Sequence, residues 1–592
     1  MDGRLIWLFT FIPTYDLANA GCVPKPQPEY HKFPRGFKWA VATSAFQIEG
    51  ATKEDGRGPS IWDEYQMKPG KIADNSTADI SSDSYHKFRE DIKLMKSLRV
   101  SHYRFSLSWS RMFPTGVITN PNYKGIQYYH DVIDALIENN IEPMVTLYHW
   151  DLPLALQDAG GWLNREIVNW FRLYAVFCFK EYGDKVKLWV TVNEPFAQST
   201  IGYCGLRHEM APGGFQEHCH WAQYLAGHHM LLAHAHAYHA YRASFHNQKG
   251  KIGIVNILIW VEPESESESL FAQHVRHWTM DWFIHPLFKG DYPPEMREAV
   301  DRNSKAEGRT INRLPQFSKY EKEMLIGSYD YLGVNYYITF FVRRFRRGEK
   351  DVRKAIGYDI DGIFVPNKKD MLVGGKKSWL RSHPAGLRAV LNHIRNHYDN
   401  PEVFIAENGC MDTPGESLND VTRMRYLREH IAAVSQGGSN MSNRRHNRQY
   451  SIGPLRGLSS TPPSDISCRT SQVFYPLPET LCFIISSQCW DGLNYLSGGR
   501  SSHVLMLQNM FIPSLKIAPS SAIVDGCNVV GYILWSLIDN FEWSSGYTKL
   551  FGIYKVDFTS PSRPRTPKRS AMLYADIIRN NSVALIEEEG RK

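Results

Sequence analysis

A closed parallel (β/α)8 barrel is the fold this chain predicts, on three observations. Eight short apolar runs are rich in β-branched and aromatic residues, helical patterns lie between most of them, and reactive side chains gather at or near their ends. The runs are residues 38–43, 102–106, 143–148, 188–192, 252–258, 331–335, 403–406 and 529–534. Helical periods at 128–139, 167–182 and 385–396 supply the connections that parallel strands require. A doubly wound open sheet is the alternative, but no Gly-rich phosphate loop follows the first run. The expected organisation is one barrel formed by residues 21–436 and 522–592, with long loops after its strands and an atypical insertion at 437–521.

Composition narrows the function classes. The chain has 592 residues, of which 43% are hydrophobic and 22% charged, an ordinary globular balance. Lys and Arg number 68 against 61 Asp and Glu, so the net charge of +7 is small for the length. The only basic groups are Arg343 to Arg347 and the set Arg444, Arg445 and Arg448, which read as solvated surface. No nucleic-acid partner is expected. Aromatic residues at 13% suit a protein that stacks sugar rings, and suit a large core equally well.

The first 20 residues read as a secretory signal peptide. Arg4 precedes the apolar run 5–12, and Ala18-Asn19-Ala20 resembles a small-residue cleavage site, although Asp2 and Pro13 are imperfect for it. Secretion or the secretory lumen is the expected location, with the cytoplasm as the alternative. Sequons at Asn75, Asn440 and Asn580 agree with secretion. No other segment has the run of roughly 20 apolar residues that spans a bilayer. The nine Cys show neither CxxC pairs nor metal-ligand spacing, and Cys204 with Cys219 are near enough in sequence to pair. No metal or organic cofactor is expected, and the oligomeric state is not legible.

The reactive residues fall where barrel active sites are built. Gln47 lies just past the first run and Arg104 on the second; His149 and Trp150 close the third, and Asn193 and Glu194 the fourth. Asn335 and Tyr337 close the sixth, Glu407 the seventh and Trp535 the eighth. In a closed parallel barrel these ends share one rim. Glu194 and Glu407 stand out, because a desolvated carboxylate is costly and rarely ends a buried strand without cause. Two such groups are what glycoside hydrolysis requires, one to give a proton and one to attack or to activate water. From spacing alone, ordinary rim carboxylates remain an equal reading.

Longer motifs separate the two readings. They are Phe33-Pro-Arg-Gly-Phe-Lys-Trp39, Ala42-Thr-Ser-Ala-Phe-Gln-Ile-Glu-Gly50 and Tyr103-Arg-Phe-Ser-Leu-Ser-Trp-Ser-Arg111. Tyr148-His-Trp-Asp-Leu-Pro153, Thr191-Val-Asn-Glu-Pro195 and Gly333-Val-Asn-Tyr-Tyr337 follow, then Ile405-Ala-Glu-Asn-Gly409 and Trp535-Ser-Leu-Ile-Asp-Asn-Phe-Glu-Trp543. In this order they resemble glycoside hydrolase family 1, the β-glucosidase and lactase type, over about residues 33–436 and 522–578. The resemblance implies a retaining β-glycosidase acting on small-molecule β-glycosides. Glu194 would be its acid/base and Glu407 its nucleophile, with Arg104 and Tyr337 favouring the Glu407 carboxylate and Asn335 beside them. It further implies that Asn193 holds the sugar 2-hydroxyl and that Gln47, His149, Trp150, Glu542, Trp543 and Trp535 line the sugar pocket, Trp535 beneath the ring.

Single residues separate the relatives. Plant thioglucosidases of the family carry Gln at the acid/base, so Glu194 favours O-glycosides. The 6-phospho-glycosidases replace the Glu542–Trp543 pair, which is intact here. Klotho-type receptors lack part of the carboxylate pair. A silent receptor of that type, or an isoform inactivated by the insertion, is the alternative function. The leaving-group subsite is expected in variable loops such as 202–214 and 343–370.

Residues 437–521 have no counterpart in the resemblance. They hold Gly437-Gly438, Ser459-Ser460-Thr461-Pro462-Pro463 and three of the nine Cys, and strand and helix periods fade across them. A structureless loop of this length is unusual inside a compact domain. The abrupt loss of pattern reads as retained intron or a gene-model error. An authentic loop is the alternative, and at the bottom of the barrel it would cost little closure entropy.

Overall fold

The computed structural model describes residues 29–206, 208–349, 355–367, 369–376, 378–435 and 522–585. They belong to one of the two units into which the chain divides, Met1–Gly438 with Pro519–Lys592; the other, Ser439–Ala518, lies outside them. The expected signal peptide, the sequon at Asn440 and the segment 437–521, expected as an insertion, also fall outside the described residues.

Eight parallel strands close into a barrel in sequential order. They are β1 Lys38–Ala42, β2 His102–Ser106, β3 Glu142–Tyr148, β4 Leu188–Asn193, β5 Lys251–Ile257, β6 Tyr331–Asn335, β7 Val403–Asn408 and β8 Val529–Trp535. Every predicted run therefore forms a barrel strand, and β8 pairs back onto β1 through Tyr532–Trp39 and Trp535–Ala42. Both faces of the barrel strands are covered, which is why all six residues of β4 are buried.

A helix follows each strand. In order these are α1 Ser84–Leu98, α2 Tyr123–Glu138, α3 Ile167–Tyr182, α4 Cys219–Ser244, α5 Pro294–Ala306, α6 Pro384–His397, α7 Val421–Val434 and α8 Arg569–Asn580. α6 shows why such a segment is helical. Pro384 occupies the first turn, where its missing N–H costs nothing, and Leu387, Val390, Leu391 and Ile394 repeat at helical spacing as one buried stripe. Each such side chain contributes about 1.5–3 kcal/mol of apolar burial. α3 buries Phe171, Tyr174, Cys178 and Phe179 in the same manner, and Phe171→Ala would cost roughly 3–5 kcal/mol.

Two features depart from the simple barrel. Residues 343–370, expected as a loop, instead contribute to a four-stranded sheet built from Trp260–Pro263, Thr339–Arg344, Ile360–Val365 and Ala355–Gly357. Phe340 stacks on Phe364 across two of its strands at 4.4 Å, a cross-strand aromatic pair that holds the sheet together. At the opposite face, strand Glu29–Lys32 pairs antiparallel with strand Ser582–Leu585. Cys204 and Cys219 form a disulfide, and Cys178, Cys410 and Cys527 are free and buried.

No helix among the described residues is long and apolar enough to cross a membrane.

Candidate active site

The C-terminal strand ends bring the predicted residues together. β6 and β7 are neighbours, and their register sets Asn335 beside Glu407. The Asn335 amide crosses the barrel mouth to donate to Glu194 Oε1 at 2.6 Å. Asn335 also favours the charged form of Glu407, so one side chain bears on both carboxyl groups. Glu194 and Glu407 are each only 4% exposed.

Their partners differ. Arg104, itself buried on β2, donates to Glu407 Oε1 at 2.7 Å and to the Asn193 carboxamide oxygen at 2.6 Å. The Tyr337 hydroxyl donates to Glu407 Oε2 at 2.8 Å. Glu194 receives no guanidinium. Burial, then the negative charge of Glu407, pushes its carboxyl up to about 8. Burial raises Glu407 too, but Arg104, Tyr337 and Asn335 all oppose the rise. The pair therefore places its shared proton on Glu194 and its charge on Glu407.

Around the carboxyls stands an aromatic wall. The His149 ring is nearly parallel to Trp535, with centroids 5.7 Å apart, and to Trp543 at 6.0 Å. Trp150 leans on Trp543 at 4.9 Å and donates its indole N–H to the Asn193 carbonyl. Burial and the Arg104 charge hold His149 well below the usual imidazole range, so the ring is neutral. The Asn193 amide nitrogen is 3.1 Å from His149 Nε2. Gln47 Nε2 lies 3.1 Å from Glu542 Oε2 and equally close to Asn540 Oδ1 and the Phe541 carbonyl. Burial and the charge of Glu407 push Glu542 up to about 8.

Backbone geometry aims three of these side chains. Trp150, Glu194 and Trp543 have φ of 73°, 47° and 49°, in the left-handed region that costs non-glycine residues energy. Gly409 serves differently: a Cβ there would stand 1.7 Å from the Trp535 carbonyl, so only glycine lets the β7 end approach β8.

Behind the wall, buried charges link the two strand ends. Arg423 pairs with Asp412 and Asp420, and Lys568 bridges Asp412 at 2.8 Å to Asp539 at 2.9 Å. Asp539 belongs to the same turn as Glu542.

The twelve predicted site residues gather at the C-terminal strand ends, joined by these hydrogen bonds and ring contacts. Sequence reasoning missed Trp379, half-exposed at the rim with its ring centroid 6.4 Å from Tyr337 and at a steep angle to it. Its only signal is a tryptophan among polar neighbours, Lys376 to Ser378. Among the described residues, no group of three His, Cys, Asp or Glu side chains is placed to hold a metal ion.

A parallel barrel whose rim presents two buried, unequally held carboxyl groups beside stacked aromatic rings has the equipment of a glycoside hydrolase. The sequence pattern described as Glycosyl hydrolase family 1 matches residues 29–449 and 515–583, so the stretch outside it is 450–514, shorter at both ends than the expected 437–521. The chain belongs to glycosyl hydrolase family 1 and is an O-glycoside hydrolase of the retaining β-glycosidase class. It is 35% identical to β-glucosidase 44 of Arabidopsis thaliana over 93% of its own length and 91% of that protein's. It is 33% identical to the human lactase/phlorizin hydrolase over 93% of its length but spans only 24% of that longer protein. Among solved structures it resembles aphid myrosinase, with a TM-score of 0.73 and 32% identity over 93% of this chain and 99% of that one.

Proposed function

We propose that Glu407 is the nucleophile and Glu194 the acid/base of an exo-acting enzyme that removes a terminal β-linked glucose or galactose from small O-glycosides. The observation that carries the assignment is the unequal environment of the two carboxyls. Arg104 and Tyr337 favour charge on Glu407, while Glu194 has only an amide donor and retains its proton.

In the first step a Glu407 oxygen bonds to the anomeric carbon as the bond from that carbon to the leaving oxygen breaks, and Glu194 gives its proton to that oxygen. In the second, Glu194, now a carboxylate, takes a proton from water. The water oxygen bonds to the anomeric carbon and Glu407 leaves with its electron pair. Attack on alternate faces retains the configuration. Asn335, which donates to Glu194 Oε1 and stands beside Glu407 in the β6–β7 register, supports the short separation that this double displacement needs.

Asn193, polarised by Arg104, is suited to the sugar 2-hydroxyl. Gln47, His149 and Glu542 supply the other polar contacts, and Trp535 and Trp543 with Trp150 supply the apolar walls. Trp379 offers a half-exposed ring face to the leaving group beyond Tyr337. Secretion is the proposed location; the Cys204–Cys219 disulfide supports it, because such bonds persist in oxidising compartments.

A panel of nitrophenyl β-glycosides, with one aryl thioglucoside, tests the reading. Hydrolysis of the O-glucoside or O-galactoside with the β-anomer as first product is expected. The α-anomer as first product, or no hydrolysis by folded protein, would refute it. Cleavage of the thioglucoside alone would reassign the substrate.

A further inference from the structure

The family assignment leaves unexplained a buried hydroxyl on α7 that touches neither carboxyl. Tyr426 is fully buried, its ring stacked on His430 with centroids 3.8 Å apart, while His430 Nδ1 pairs with the Tyr426 carbonyl at 2.8 Å. The ring therefore has little freedom. Its hydroxyl donates to the Tyr337 carbonyl at 3.1 Å and accepts from the Asn408 amide at 3.2 Å. The same amide nitrogen donates to the Tyr336 carbonyl at 2.6 Å, and the Asn408 carboxamide oxygen accepts from the Tyr532 hydroxyl at 2.6 Å. The Tyr336 N–H returns to the Glu407 carbonyl at 3.0 Å.

These bonds tie two short stretches of backbone just where they leave β6 and β7. One carries Tyr337 and the other carries Glu407. Tyr337 lies beyond the last ladder pair of β6, so the barrel's own hydrogen bonds do not fix its carbonyl. Tyr426 supplies that missing bond from outside the barrel, and the Tyr337 side chain then meets Glu407 Oε2 at 2.8 Å.

We infer that Tyr426 is a positioning residue for the nucleophile: by holding the Tyr337 carbonyl and the Asn408 amide, it keeps the Tyr337 hydroxyl on Glu407. α7 thereby takes part in setting the site although it lies on the barrel's outer layer. The inference rests on the proposed role of Glu407.

The test is Tyr426→Phe, which removes one oxygen, assayed on nitrophenyl glycosides across pH. The expected result is a roughly tenfold fall in kcat with little change in KM, since a misplaced hydrogen bond to the nucleophile weakens the transition state more than substrate binding. The acid limb of kcat/KM should move to higher pH, because one bond favouring the charged carboxylate is loosened. In a Tyr337→Phe background the second substitution should add no further shift of that limb. Asn408→Ala, which frees the same strand end from the other side, should move the limb in the same direction and serves if Tyr426→Phe does not fold. Tyr182→Phe removes a hydroxyl of equal burial that donates to the Ile126 carbonyl at 3.1 Å, and should lower the melting temperature without moving the pH profile. An unmoved acid limb in both Tyr426→Phe and Asn408→Ala, or shifts that add fully to Tyr337→Phe, would overturn the inference. Wild-type protein that hydrolyses nothing would instead overturn the proposed roles of the carboxyls.

Discussion

The end of β4 and the end of β7 carry the same residue type and bury it equally, yet the two ends are furnished differently. At β7, Glu407 meets a guanidinium at 2.7 Å and a phenol at 2.8 Å. At β4, Glu194 meets one amide at 2.6 Å, and its backbone sits at φ 47° just before Pro195. Burial raises both groups, so burial cannot divide their labour. The donors do that, and the dominant one, Arg104, belongs to a third strand. One proton shared by two glutamates thus becomes an acid and an anion.

The contrast can be broken most completely at the anion. Glu407→Ala should lower turnover by roughly 10⁴-fold or more, and azide should restore it with product of inverted configuration, read by NMR of the anomeric proton. Retained configuration in the rescued product would mean that Glu407 is not the attacking group.

Removing the acid should be more selective. Glu194→Gln is expected to slow glycosides with poor leaving groups by about 10²–10⁴-fold while nearly sparing activated aryl glycosides in the first step. In the wild type the free-enzyme profile should lose activity as pH rises through about 8, where Glu194 gives up its proton. Equal losses on both substrate classes would contradict the acid role.

Loosening the anion's support sharpens the comparison without destroying it. Tyr337→Phe should cost about tenfold in kcat/KM. Its acid limb should move upward, because Glu407 loses a hydrogen bond that favours its charged form. A downward movement would show that Tyr337 does not stabilise the carboxylate.

The smallest expected effect lies at the other end of the barrel. The Ala522 and Ile523 N–H groups donate to the carbonyls of Ala433 and Val434 at 2.9 and 3.1 Å, so the chain leaves and re-enters the barrel at adjacent points. We propose that residues 437–521 are dispensable: a chain running Gln436 into Ala522 should keep kcat within about twofold, since closing this gap needs no rearrangement. Loss of folding in that deletion, judged by circular dichroism and melting, would show that the segment is part of the fold.

Much of this arrangement was legible in the sequence, and the reasons are local. β2 and β6 coincide with their predicted runs because both are short, carry aromatic or β-branched side chains and are buried along their whole length. β7 runs two residues further than predicted, through Glu407 and Asn408, because a polar strand end pairs by its backbone and carries no hydrophobic signal. The rim sheet was not legible. Its strand Thr339–Arg344 ends in two arginines, and its pairing of Val342 with Phe364 spans a stretch with no period of its own. Nor could the motifs show that His149 is neutral, which depends on burial and on Arg104 from another strand. Trp379 was invisible for the same reason, since its meaning comes from Tyr337 standing behind it.

The small antiparallel ribbon that joins Glu29–Lys32 to Ser582–Leu585 brings two distant parts of the chain side by side. Leu585 sits opposite Glu29 in its register, so a short linker could fuse the two while new termini are cut at Ser435 and Ala522. Such a circular permutant would carry every cut and splice on the face away from the sugar. Its chain would begin with β8, leaving the order of the barrel staves unchanged.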